Sequence, residues 1–152
     1  MFKYCLWYKI TDNHMVNNII NELSFILTTE RYPGHLTIKA KMDHLDSIKL
    51  YNQIKFDKEP YFELIGSVYQ TKNDNFYALQ QDYLFNGKES NRNYHVSLVY
   101  RLNKGFTKEE IELVNNMVND KKEILGIKNN EIKKELFNCS NINCKYWKKV
   151  KL

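Results

Sequence analysis

Two segments sixty residues apart, "HLTIKAK" at 35–41 and "HVSLVYR" at 95–101, open with the same unit of histidine, apolar residue and hydroxyl, and both run on in apolar alternation. Successive side chains of an extended strand point to opposite faces, so each segment reads as a strand with one face to bury and one face carrying chemistry. In the first, Leu36, Ile38 and Ala40 form the buried face and His35, Thr37, Lys39 and Lys41 the other. In the second, Tyr94, Val96, Leu98 and Tyr100 lie opposite His95, Ser97, Val99 and Arg101.

The remaining pattern supplies the elements that cover such strands. Residues 2–10 mix aromatic and β-favouring residues as a strand does. From Asp12 onward, Val16, Ile19, Ile20, Leu23, Ile26 and Leu27 recur every three or four residues, the stripe of a helix packing one face on a sheet. A second helix is expected over Asp43–Ile54, capped by Asp43. "YFELIGSVYQT" and "NFYALQQDYLF" flank the turn-forming "KND", which predicts a long antiparallel hairpin over 61–85, followed by a polar loop, 86–93. Thr107 and Glu110 form a capping box that opens a helix with Ile111, Val114 and Val118 on its apolar stripe. Strands are expected at 128–138 and 144–151, with Trp147 available to a core. The element order is then β, α, β, α, β, β, β, α, β, β. Residues 1–85 and 86–152 would each hold one histidine-led strand followed by a helix and two strands, a degenerate repeat whose halves offer their histidine strands to one cleft.

A chain of 152 residues that is 43% apolar supports one core, so a single domain spanning 1–152 is expected. No apolar run approaches the roughly 18 residues of a membrane span, and no secretion signal is visible, so no membrane association is expected. The odd cysteine count (Cys5, Cys139 and Cys144) points to a reducing, cytoplasmic setting over a disulfide framework. The sequon at Asn138 is short enough to arise by chance. The net charge of +5 mildly favours a polyanionic partner, although abundant Lys, Asn and Ile also follow from an AT-rich genome. The lysine-rich tail "CKYWKKVKL" reads as an edge strand whose charges discourage pairing with other chains.

An imidazole and a hydroxyl two residues apart on a strand project in parallel and can meet one phosphate. Two such strands bracket it. Phosphodiester cleavage requires a base for the attacking oxygen and an acid for the departing one, and histidine suits both tasks because its pKa of about 6.5 lets it hold or release a proton near neutrality. The hydroxyls can orient the phosphate and stabilise its non-bridging oxygens. No metal and no other cofactor is required. His14 and His44 fall in the first turns of helices and read as capping or solvent-facing residues, and Cys139 with Cys144 lacks the further ligands of a zinc site.

"HLTIKA" and "HVSLVY" resemble the paired H-x-[ST] signatures of the two-histidine (2H) phosphoesterase superfamily, the LigT-like proteins that include cyclic-nucleotide phosphodiesterases and enzymes degrading 2',5'-linked oligonucleotides. The resemblance covers most of the chain. It implies an α+β fold in which pseudo-symmetric antiparallel sheets with flanking helices form two lobes, about 1–85 and 86–152, around a central cleft. It also implies that His35 and His95 are general acid and base, with Thr37 and Ser97 binding phosphate. Substrates of that kind are a 2',5'-oligoadenylate, a cyclic di- or oligonucleotide, or a 2',3'-cyclic phosphate, and many relatives destroy nucleotide second messengers in host–virus conflict. Tyr32, in the loop before His35, could stack on a base, and Lys39 and Arg101 extend the chemical faces toward phosphates, whereas Tyr94 and Tyr100 alternate onto the core side. No obligate protein partner is expected. A non-catalytic RNA- or nucleotide-binding module is the competing function, and an interaction protein a third.

Overall fold

The computed structural model describes residues 3–54, 60–72, 76–87, 94–140 and 147–151. In chain order the elements are β1 (Tyr4–Ile10), α1 (Met15–Leu27), β2 (His35–Met42), α2 (His44–Gln53), β3 (Tyr61–Lys72), β4 (Tyr77–Phe85), β5 (Tyr94–Arg101), α3 (Lys108–Asp120), β6 (Ile127–Lys128), β7 (Ile132–Asn138) and β8 (Lys148–Lys149). The strand expected at 128–138 is divided by a 3-10 turn, Asn129–Glu131, because its two parts serve different neighbours: β6 pairs with β3 and β7 with β1. Of the strand expected at 144–151, Lys148–Lys149 is strand and 144–146 lie outside the described residues. The hairpin forms as expected, although most of its "KND" turn is also outside them.

All eight strands join one antiparallel sheet in the order β6-β3-β4-β5-β2-β1-β7-β8. The two expected sheets are thus continuous, joined where Leu36 of β2 pairs with Val96 of β5. The two halves of the sheet also interleave in sequence: β1 and β2 sit with β7 and β8, and β3, β4 and β5 with β6, so neither half corresponds to residues 1–85 or 86–152. The histidine-led strands meet at the centre.

The helices cover one face. Leu36, Val96, Leu79 and Tyr8 of the sheet bury against Val16, Ile19, Ile20 and Leu23 of α1 and Val114 and Val118 of α3. Leu6, Met42 and Leu136 pack toward Ile48 and Tyr51 of α2. Each fully buried aliphatic side chain contributes about 1.5–3 kcal/mol. The stripe of α1 is narrower than its sequence period implies: Ile26 is exposed and so is Phe25. His14 does cap this helix, but from a buried position. Its Nδ1 accepts from the Val16 N–H at 3.0 Å, which leaves Nε2–H to donate to the Gly126 carbonyl at 2.9 Å. His44 is an exposed first-turn residue of α2, where Asp43 caps as expected, and Thr107 with Glu110 completes the capping box of α3. Among the described residues no helix is long and apolar enough to cross a membrane.

Bulges break the two-residue period where it matters. On β2 an extra residue, Ile38, falls between the pairs Trp7–Thr37 and Leu6–Lys39, and another irregularity precedes the pair Tyr4–Met42. On β5 the pairs Gln80–Ser97 and Leu79–Val99 leave Leu98 as the extra residue. On β3, Gly66 takes φ of 72° where the pairing with β4 slips between Ile65 and Tyr69, a conformation that glycine adopts without a Cβ penalty.

Candidate active site

The entry of β2 is fixed before His35 is reached. Gly34 donates its N–H to Asn17 Oδ1 at 2.7 Å and accepts from the Ile10 N–H at 3.0 Å. The buried Asn17 in turn donates to the carbonyl of Thr11 at 2.8 Å. A Cβ on residue 34 would stand 3.1 Å from Val16 and 3.2 Å from Ile20, so a side chain there would have to push these α1 side chains back by a few tenths of an ångström.

Pairing of Leu36 with Val96 places His35 across from Ser97 and Thr37 across from His95, with all four side chains on the face turned away from the helices. Directly opposed Cβ atoms in such a pair lie about 4.5–5.5 Å apart and diagonal ones about 7–8 Å, so the two imidazoles stand diagonally across the β2–β5 pair. All four residues line one groove of about 600 Å³.

His35 is 7% exposed, and its ring stacks on Trp7 at 3.5 Å between centroids, with Phe137 stacked on Trp7 at 4.3 Å. Its Nδ1–H donates to the Pro33 carbonyl at 3.0 Å, so the neutral ring keeps the Nε2 lone pair. Burial pushes the His35 pKa down to about 4, against the hydrogen bond to Pro33 and with help from nearby His95. Because the unfolded chain holds this proton more tightly, near pH 6.5, the contribution to stability is complete above pH 6.5 and is lost as pH falls toward 4. We expect wild type to lose about 2 kcal/mol more than His35→Gln between pH 7.5 and pH 5 in denaturant titrations; equal losses would contradict the buried neutral ring.

Gln80 of β4 was not singled out by the sequence. Its Nε2 donates to Ser97 Oγ at 3.2 Å, and an amide nitrogen can only donate, so the single Ser97 hydroxyl proton stays available to the groove. Only cross-strand pairing brings residues 80 and 97 together, and no local pattern carries that signal.

The other expected site residues disperse. Tyr32 packs edge-on against His35, at 5.8 Å, and against Trp7 and Trp147. Lys39 is exposed and pairs in register with Leu6, because the extra Ile38 turns it off the groove face. Arg101 likewise lies on the helix side, rotated there by the bulge at Leu98. It forms a bidentate pair with Glu110 at 3.0 and 2.5 Å, lies over the Phe106 ring and holds the Glu110 carboxyl down to about 2. The same bulge brings Tyr100, expected on the core side, into the groove lining beside Phe76 and Trp147. Tyr94 packs with Phe62 and Phe85 in the core as expected. Trp147 lines the groove instead of entering the helix-side core. Cys5 and Cys139 line the groove's far end with their thiols hydrogen-bonded, and Cys144 lies outside the described residues.

The single curled antiparallel sheet, with helices on one face and a groove on the other, is a fold shared with a solved structure of the two-histidine phosphoesterase superfamily. The solved structure of Usb1 from Kluyveromyces marxianus, a member of that superfamily, is similar over 99% of this chain and 98% of its own, with a TM-score of 0.51 and 11% sequence identity. No protein-family model matches the chain, and no curated protein sequence does.

Proposed function

We propose that the protein is a metal-independent phosphodiesterase acting on a small oligonucleotide or nucleotide phosphodiester. One observation carries this reading: the four H-x-[ST] side chains stand on the two central strands and line one groove. The likeness to Usb1 supports the same fold around them.

His35 acts as the base. Its ring is neutral at pH 7, and the hydrogen bond from Nδ1 leaves Nε2 to take a proton from the attacking oxygen. His95, across the groove on β5, protonates the departing oxygen. Thr37 and Ser97 donate to the non-bridging oxygens. In a 2',5' linkage the free 3'-hydroxyl attacks phosphorus and the 5'-oxygen leaves; on a 2',3'-cyclic phosphate water attacks instead. Phe76, Tyr100 and Trp147 offer rings on which a base can stack, worth about 1–3 kcal/mol per base.

The test is incubation with 2',5'- and 3',5'-linked dinucleotides, cyclic dinucleotides and 2',3'-cyclic nucleotides in excess EDTA, with products resolved by chromatography. Cleavage of at least one substrate at an undiminished rate supports the reading. Tight binding with no product from any of them would favour the non-catalytic nucleotide-binding module. Where cleavage occurs, Gln80→Glu should lower kcat on the order of 100-fold and Gln80→Met less, because a carboxylate can only accept and would draw the Ser97 proton away from the phosphate. Equal effects of the two substitutions would contradict that orientation.

A further inference from the structure

At the far end of the groove from Phe76 and Tyr100 stand two lysines that the four-residue constellation does not use, Lys3 and Lys41. The extra Ile38 alone would turn Lys41 off the groove face, and the second irregularity of β2 returns it to the groove lining. Lys41 lies in that irregularity, at φ of 57°, a left-handed conformation that costs a non-glycine residue about 1 kcal/mol or more. Its backbone N–H meets the Cys5 sulfur, and Lys3, two residues before Cys5, also lines the groove, its ammonium 5.7 Å from the centre of the Tyr4 ring. Among the described residues neither ammonium pairs with a carboxylate, and no aspartate or glutamate lines the groove at all.

A positively charged end joined to a site for one phosphodiester has an anionic counterpart on the same ligand. Thr37 and Lys41 are four residues apart, about 13 Å of extended strand, which the bulges shorten and the flexible lysine stem partly spans. One nucleotide unit covers such a gap. We infer that Lys3 and Lys41 form a second phosphate site, so that the preferred substrate is a nucleotide chain or ring bearing a further phosphate next to the scissile one, and not a lone mononucleoside cyclic phosphate. The inference rests on the phosphodiesterase reading for the position of the first phosphate.

The two readings separate in a binding experiment on wild-type protein. Dinucleotides with a non-cleavable methylenephosphonate linkage are prepared with a terminal phosphate at the 5' end, at the 3' end, or at neither, and titrated calorimetrically at several salt concentrations. One phosphorylated form should bind on the order of tenfold more tightly than the unphosphorylated one. In Lys3→Met and in Lys41→Met that ratio should fall toward one, and the slope of log affinity against log salt should flatten by about 0.7 for each lysine removed. Equal binding of all three forms by wild type, or a ratio that survives in the Lys3→Met/Lys41→Met double variant, overturns the second site. A lysine-dependent ratio together with an intact cleavable counterpart would leave the second site standing and remove the catalytic reading; absence of binding by any form removes both.

Discussion

Replacement of either His35 or His95 by alanine is expected to lower kcat for the cleaved substrate by about 10²–10⁴, with the fold unchanged by circular dichroism. The two losses should not multiply. A base without its acid partner, or the reverse, leaves only positioning and charge stabilisation by Thr37 and Ser97, so the double variant should lie close to the more damaged single one. The histidines should also differ in pH dependence. With His35 neutral down to about pH 4, the acidic limb of kcat/KM, set by protonation of the free base, should fall near pH 4 and not near 6.5. An acidic limb near 6.5 that vanishes in His35→Ala would mean that the ring is hydrated and that its packing against Trp7 is misread. Retention of most activity by both single variants would remove the histidines from the chemistry.

The second large effect is on stability. Trp7 is 2% exposed and lies between the His35 and Phe137 rings, so Trp7→Ala removes a buried indole and both stacked contacts. A loss of about 3–5 kcal/mol is expected, corresponding to about 10 °C or more in Tm for a chain of this length. Phe25→Ala, at an 87% exposed position on α1, should change stability by less than about 0.5 kcal/mol. The same substitution tests the cause of the lowered His35 pKa. Trp7→Ala admits water to the imidazole, and the pKa, followed by NMR titration, should rise from about 4 toward the ordinary histidine range. A value that stays put after loss of the indole would place the cause elsewhere.

The signals legible in the sequence were those that act locally. The Thr107–Glu110 capping box, the Asp43 cap and the apolar stripe of α1 depend on residues within one or two turns of one another, and all three are present. His35, Thr37, His95 and Ser97 precede any bulge on their strands, so their alternation held and the structure brings them to one groove. Beyond Thr37 and Ser97 it did not. The extra residues Ile38 in β2 and Leu98 in β5 exchange the faces of the residues just beyond them, which is why Lys39 and Arg101 left the groove while Ala40 and Tyr100 entered it, until a second irregularity in β2 returns Lys41 to the lining. A bulge reflects a mismatch between two strands far apart in sequence, and neither strand announces it alone. The continuity of the sheet and the bond from Gln80 to Ser97 were hidden for the same reason: both depend on partners chosen in three dimensions.

The central claim is that one phosphodiester sits between the two imidazoles. The most direct measurement is a crystal structure with a methylenephosphonate dinucleotide bound. The account predicts phosphorus in the groove with His35 Nε2 and the His95 ring on opposite sides of it, and with Thr37 and Ser97 hydroxyls on its non-bridging oxygens. A phosphonate held away from the groove, or contacted by one histidine with the other turned from it, would contradict the account.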